Sequence, residues 1–412
     1  MVGPGARCQG RPAVELRIIL VVALVQLVNT LDFMMVMPLG PDFAAALDID
    51  QSMIGIIGGS YTAAAAVAGI VGAQLLDRFD RRRALVVAII GLAGATALGG
   101  LATGLPTLLT ARVLAGLFGG PATSLALAIV ADTVPAERRG RAMGIVMASF
   151  SIASVLGVPA GLAMARHGDW RTPFFAVGVL GVVAAVIARS ALPPLTAHLG
   201  GPRHARTRAR DLLARPAMRW ALGAAALLML SVFMLIPSIS PYLQNNLAYP
   251  RADIETLYLV GGLVNLGVLQ LTGRLTDRIG PVPVSVAGLV VVSVSVVSGF
   301  LLAPPLLPVM AVFILFMASS SPRFVPLQTV ATRLPAPHER AQYMSLQSAV
   351  QHLASSAGAG LSSLLLAEGP GRALIGMPLV AGLSLALALP VPILLGIAAR
   401  AAAQARPGAG AP

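Results

Sequence analysis

Apolar runs of about twenty residues follow one another along almost the whole chain, separated by short polar breaks. At ~1.5 Å per residue each is long enough to cross a ~30 Å hydrocarbon core as a helix. The pattern predicts spans at 16–40, 52–76, 84–103, 106–133, 142–165, 173–195, 217–243, 254–275, 282–303, 308–332, 342–366 and 374–398. The first run is too long for a signal peptide and has no small-residue cleavage site after it, so it reads as a retained span. A polar stretch, HLGGPRHARTRARDLLARPAMR at 198–219, divides the twelve into two sets of six. The expected organisation is therefore all-α and polytopic: a six-helix bundle over 1–195, a basic linker over 196–216 and a second six-helix bundle over 217–412.

Composition agrees. The 412 residues are 57% hydrophobic and only 11% charged, whereas a soluble domain carries about 25% charged residues. Every one of the 29 basic residues is arginine. With the N-terminus placed inside, 23 arginines fall on inner segments and 4 on outer loops, while Arg112 and Arg323 stand within spans. Such an asymmetry puts both termini in the cytoplasm, and an odd number of spans would have scrambled it. The net charge of +13 is thus a topology signal. The arginine-rich linker has no aromatic residue within it to stack a base, so nucleic acid is not an expected partner. The single cysteine, Cys8, rules out an intramolecular disulfide.

The two sets of spans are copies. AQLLDRFDRRRA after span 2 is echoed by GRLTDRIGPVPV after span 8, with Leu75, Asp77 and Arg78 matching Leu275, Asp277 and Arg278 at an offset of 200. PAERRGRAMG from Pro135 is likewise echoed by PAPHERAQYMS from Pro335. Duplicated halves are a recurring transporter architecture. The sequence resembles the major facilitator superfamily along essentially its whole length. That family's loop signature G-x-L-x-D-R-x-G-R-[KR] is matched from Ala73, with Ala73 and Asp80 in place of its two glycines; the second copy keeps Gly273 and Gly280. Within the family the likeness is to twelve-span bacterial drug and sugar-efflux proton antiporters. It rests on LDFMMVMPLGPDF in span 1, on LLTARVLAGLFGG in span 4 through Arg112 and Gly116, and on SVLGVPAGL in span 5. In the last, Gly157, Pro159 and Gly161 match a helix-bending antiporter motif, with Val158 where a proline usually follows the glycine.

The candidate chemistry is the charge inside the membrane. Asp32 in span 1 and Arg112 in span 4 both lie some 10–12 Å below the outer surface at ~1.5 Å per residue, so a pair is possible. Arginine stays charged, which leaves the carboxylate as the group able to exchange a proton. The resemblance implies that spans 1 and 4 face a central cavity. Arg323 in span 10 sits near or below the midplane. Span 11 carries Gln347, Ser348, Gln351, His352, Ser355 and Ser356 as a polar stripe on one face, with His352 a second titratable candidate.

For the loops, the resemblance implies a gate. Asp77 faces a helix N-terminus and Arg78 or Arg81 pairs with Asp132 at the end of span 4. Gly273, Asp277 and Arg278 form a second, weaker copy, because the position 200 residues after Asp132 is Thr332.

No nucleotide-binding G-x-x-x-x-G-K-[ST] loop occurs and no metal-ligand cluster stands out. The expectation is a monomeric, cofactor-free transporter in a bacterial inner membrane, not an enzyme. It would export small molecules by alternating access, driven by protons. The alternative is a uniporter or proton symporter for an organic anion, since the spans hold one positive charge in excess.

Overall fold

The computed structural model describes residues 12–75, 78–196, 209–302, 304–336 and 339–404. Asp77 and most of the expected linker lie outside the described residues. The chain forms two units, Met1–Ile49 with Ser60–Arg203 and Asp50–Gly59 with His204–Pro412.

The first unit is built from α1 (Pro12–Val36), the short α2 (Gly40–Ala46), most of α3 (Ile54–Leu75), α4 (Arg81–Gly100), α5 (Leu105–Thr133), α6 (Ala136–Ile152), α7 (Val158–His167) and α8 (Thr172–Ala191). The second holds α9 (Ala209–Leu213), α10 (Pro216–Pro241), α11 (Ile254–Ile279), α12 (Pro281–Val296), α13 (Val309–Ala318), α14 (Ser320–Arg333), α15 (Arg340–Leu365), α16 (Met377–Ala388) and α17 (Val391–Gln404). Neighbours repeat between the units. In the first, α1 packs on α6 and α8, and α4 on α5 and α8; in the second, α10 packs on α15 and α17, and α12 on α14 and α17. The duplication read in the sequence is a duplication of packing.

Among the described residues, 11 helices are long and apolar enough to cross a membrane. The twelfth expected span is α15. Its 26 residues reach ~39 Å, but its glutamines, serines and histidine lower its hydropathy. Lipid-facing stripes are plain: Val87, Ile90 and Leu98 on α4, and Val179, Val183 and Val186 on α8, are exposed at helical spacing.

Several spans are not uniform α-helices. A π-helical turn at Ala153–Gly157 joins α6 to α7, and similar turns extend α10 at Tyr242–Asn246 and α12 at Val297–Leu301. Span 10 breaks between α13 and α14 at Ser319, where Pro322 has no N–H to give the Ala318 carbonyl. The stretch after α15, expected to be loop, forms a hairpin of two short strands, β1 (Ala367–Glu368) and β2 (Leu374–Ile375). Its turn holds Gly371 and Arg372 at positive φ. Asn245 and Asn246 donate to the carbonyls of Arg372 and Leu374, so the hairpin is tied to the end of span 7.

Glycine decides how closely helices approach. A methyl group on Gly116 of α5 would strike the Tyr61 carbonyl of α3, which explains the glycine four residues after Arg112. We expect Gly116→Ala to lower the thermal stability of the purified protein, overpacking such a site costing about 1–3 kcal/mol. Gly94→Ala, with nothing within 4 Å of the added carbon, should be neutral or slightly stabilising. Equal melting temperatures for the two variants would contradict this packing.

Candidate functional site

In the first unit the charges at equal depth do meet. Arg112 Nη1 donates to Asp32 Oδ1 at 3.1 Å and to Oδ2 at 3.3 Å, and the two side chains are 1% and 0% exposed. Thr96 of α4 places its Oγ 2.6 Å from Asp32 Oδ1 and 2.8 Å from the Leu92 carbonyl. The Arg112 guanidinium lies 5.4 Å from the Phe174 ring centroid of α8, an attraction that partly offsets its buried Nε and Nη2, which have no hydrogen-bond partner. The pair therefore ties α1, α4, α5 and α8 together inside the unit.

One turn before Asp32, a second polar cluster was not anticipated from the sequence. Asn29 donates to the Gly119 carbonyl at 3.1 Å and to Thr123 Oγ, and the Tyr61 hydroxyl donates to Asn29 Oδ1 at 2.8 Å. Tyr61 also packs on Phe33, with ring centroids 5.4 Å apart. The i, i+3 spacing of Asn29 and Asp32 was the available signal. On the far side of α1, Gly157 in the π-helical turn lies against Leu31, leaving no room for a side chain. Pro159 is the second residue of α7, and Gly161 comes near Met35 and Pro173.

In the second unit Arg323 is 4% exposed. Its Nε donates to the Ser319 carbonyl at 3.2 Å, and its Nη2 has no hydrogen-bond partner. Its aliphatic stem packs on Gly288 of α12. No acid within ion-pair distance of it is found among the described residues. On α15, Gln347 donates to Gln328 of α14 at 2.7 Å, and Gln351 and His352 are half-buried along the same helix.

The loop motifs differ between copies. Arg81 Nε stands 3.0 Å from Asp132 Oδ2, whereas Arg333 reaches Asp277 only at 3.9 Å with both side chains largely exposed. Arg78 and Arg278 are exposed, and Gly273 has nothing within 4 Å of a would-be side chain. Asp80, which replaces the family glycine, caps α4 by accepting from the N–H groups of Arg82 and Leu195 at 2.9 and 3.0 Å. Gly280 does need to be glycine, because its φ is +90°.

A further pair repeats with its charges reversed. Glu15 at the start of span 1 meets Arg138 at 2.9 Å. At the matching place in the second unit, Arg215 grips buried Glu339 through two hydrogen bonds of 2.6 and 2.7 Å. Those bonds raise the Arg215 pKa. The sequence reading missed both pairs, although Glu15 and Arg215 are separated by the repeat offset.

Because charges so exposed as Arg333 and Asp277 contribute little, thermal unfolding of single and double variants should separate the two loop pairs. Arg81→Ala and Asp132→Ala should be less than additive by about 0.5–1 kcal/mol, and Arg333→Ala and Asp277→Ala additive. Equal coupling in both pairs would contradict the difference in geometry.

Comparison with known proteins agrees with this architecture. A chloramphenicol resistance protein of Streptomyces lividans is 28% identical over 263 residues, covering 63% of this chain and 66% of that protein. Among solved structures, a bacterial homologue of the human lysosomal transporter Spinster, inward-facing and occupied, superposes with a TM-score of 0.76 at 18% identity, over 97% of this chain and 100% of that one. A D-xylose–proton symporter gives 0.71 at 17% identity, over 91% and 97% of the two chains. These structures share the fold. The family model described as Major Facilitator Superfamily matches residues 22–359 and, separately, 221–410. This chain belongs to the Major Facilitator Superfamily and is a multi-pass membrane transporter of small molecules, not an enzyme.

Proposed function

We propose that the protein is a proton-coupled exporter of small molecules that works by alternating access in a bacterial inner membrane, as a monomer with both termini in the cytoplasm. Asp32 is the proton carrier. The observation that carries this reading is the position of Thr96 between the Asp32 carboxylate and the Leu92 carbonyl. A hydroxyl has one hydrogen and two acceptor sites. With Asp32 ionised, Thr96 donates to the carboxylate. With Asp32 protonated, the acid donates to Thr96 Oγ, and Thr96 turns its hydrogen to Leu92. Both protonation states are thus hydrogen-bonded inside an apolar bundle, as a group that gains and loses a proton there requires. Arg112 compensates the ionised form, and opening of the pair would admit the proton. The Arg81–Asp132 pair, with Asp77 and Arg78, is the cytoplasmic gate. The similarity to a chloramphenicol resistance protein favours export and makes chloramphenicol the first substrate to try.

Asp32→Asn should fold, since the amide oxygen still accepts from Arg112 and Thr96, though with a lower melting temperature because Arg112 loses its counter-charge. In proteoliposomes it should lose accumulation driven by a pH gradient while keeping downhill exchange. Thr96→Ser should retain coupling and Thr96→Val should weaken it several-fold. Undiminished substrate-induced proton movement in Asp32→Asn would overturn the assignment and make His352 the next carrier to test.

Arg323 supports a second reading, a uniporter or proton symporter for an organic anion, because its buried guanidinium has no carboxylate partner among the described residues. On that reading Arg323→Ala should raise the apparent KM at least tenfold for acidic substrates and spare cationic ones. A uniform loss for all substrates would mark Arg323 as structural instead.

A further inference from the structure

We infer that Gln328, Gln347 and Gln351 form a substrate subsite for a neutral group that both donates and accepts a hydrogen bond, such as a secondary amide or a hydroxyl; this rests on the transport reading above. Gln347 is 1% exposed. Its Nε2 donates to Gln328 Oε1 at 2.7 Å, which orients its amide. That leaves Gln347 Oε1 buried with no hydrogen-bond partner, and Gln351 Nε2 is buried with none either. Ser355 Oγ donates to the Gln351 backbone carbonyl at 2.7 Å and does not accept from Gln351 Nε2.

Residues four apart lie on the same helix face, and helical side chains lean back over the preceding turn. The Gln351 amide therefore stands over the turn that carries Gln347. One orphan acceptor and one orphan donor share that face. Buried amide atoms are rarely left unpaired in folded proteins, and two together need an explanation. A ligand with an N–H beside a C=O, or with hydroxyl groups, satisfies both at once. A carboxylate cannot donate to Gln347 Oε1, and an ammonium cannot accept from Gln351 Nε2. The subsite thus selects against the ionic cargo that Arg323 or Asp32 would each favour, and for an uncharged polar one.

The test uses the purified full-length chain in detergent and chloramphenicol, a neutral molecule with a secondary amide and two hydroxyls. Binding is measured calorimetrically for wild type, Gln351→Met and Gln347→Leu, and repeated with an analogue methylated on the amide nitrogen. Gln351→Met removes no hydrogen bond within the protein and keeps a side chain of similar length, so its fold should be intact. It should bind about fivefold more weakly, the usual worth of one neutral hydrogen bond. Methylation should weaken wild type by a similar factor and have little further effect on Gln347→Leu. Unchanged affinity in both variants means that water alone fills the subsite and overturns the inference, while leaving transport of the drug by wild type unaffected. A wild-type chain that neither binds nor moves the probe overturns this subsite and the drug-export reading together.

Discussion

A carboxylate in a membrane-spanning helix must find its counter-charge inside the protein, and in this chain that requirement organises the first unit. Asp32 and Arg112 are both nearly inaccessible, so neither can be hydrated. Removing either partner of such a pair leaves an uncompensated buried charge, a loss of about 3–5 kcal/mol. Satisfying the pair draws four helices to one point: α1 supplies the acid, α5 the base, α4 the hydroxyl and α8 the aromatic face. The glycines nearby follow from that convergence. Gly99 lies against the Arg112 guanidinium, and Gly116 lets α5 settle on the α3 backbone one turn further on.

The second unit repeats the packing without the pair. Its span 10 also carries an arginine, but Arg323 lies beyond the helix break at Ser319, held by a backbone carbonyl. Elsewhere the copies solve one problem with different chemistry. The loop after the second span is closed by an aspartate cap at Asp80 in one copy and by a positive-φ glycine at Gly280 in the other. The tie between the first span and the loop before the fifth is Glu15–Arg138 in one and Arg215–Glu339, reversed, in the other. An ion pair binds equally well with its signs exchanged, so geometry persists through duplication while residue identity drifts. The first half thus buries a matched pair of charges, whereas the second buries a guanidinium that has no acid within ion-pair distance among the described residues and is held by the Ser319 carbonyl.

Irregular helix marks the same regions. The π-helical turn at Ala153–Gly157 puts Gly157 against Leu31, the residue before Asp32, and the break at Ser319 precedes Arg323 by one turn. Such interruptions free backbone carbonyls and let a span bend. At this break the Ser319 carbonyl, next to the Ala318 carbonyl that Pro322 leaves free, receives the Arg323 Nε.

The sequence by itself determined the helical class, the approximate spans, the duplication and the Asp32–Arg112 match in depth. Each of these depends on hydrocarbon thickness or on a regular repeat, which a linear pattern records. The partnership of Arg81 with Asp132 was legible through family resemblance, since the residues lie 51 positions apart and no periodicity links them. Only the tertiary structure decided the rest: that Asp32 is shared between an arginine and a threonine, that Asn29 belongs to Tyr61 and Thr123, and that the residues after α15 form a hairpin on the asparagines of span 7. It also decided which atoms on the polar stripe of α15 are already bonded and which are left over. In a membrane span every polar side chain needs a partner, but the partner comes from another helix at a distance along the chain that no local pattern encodes.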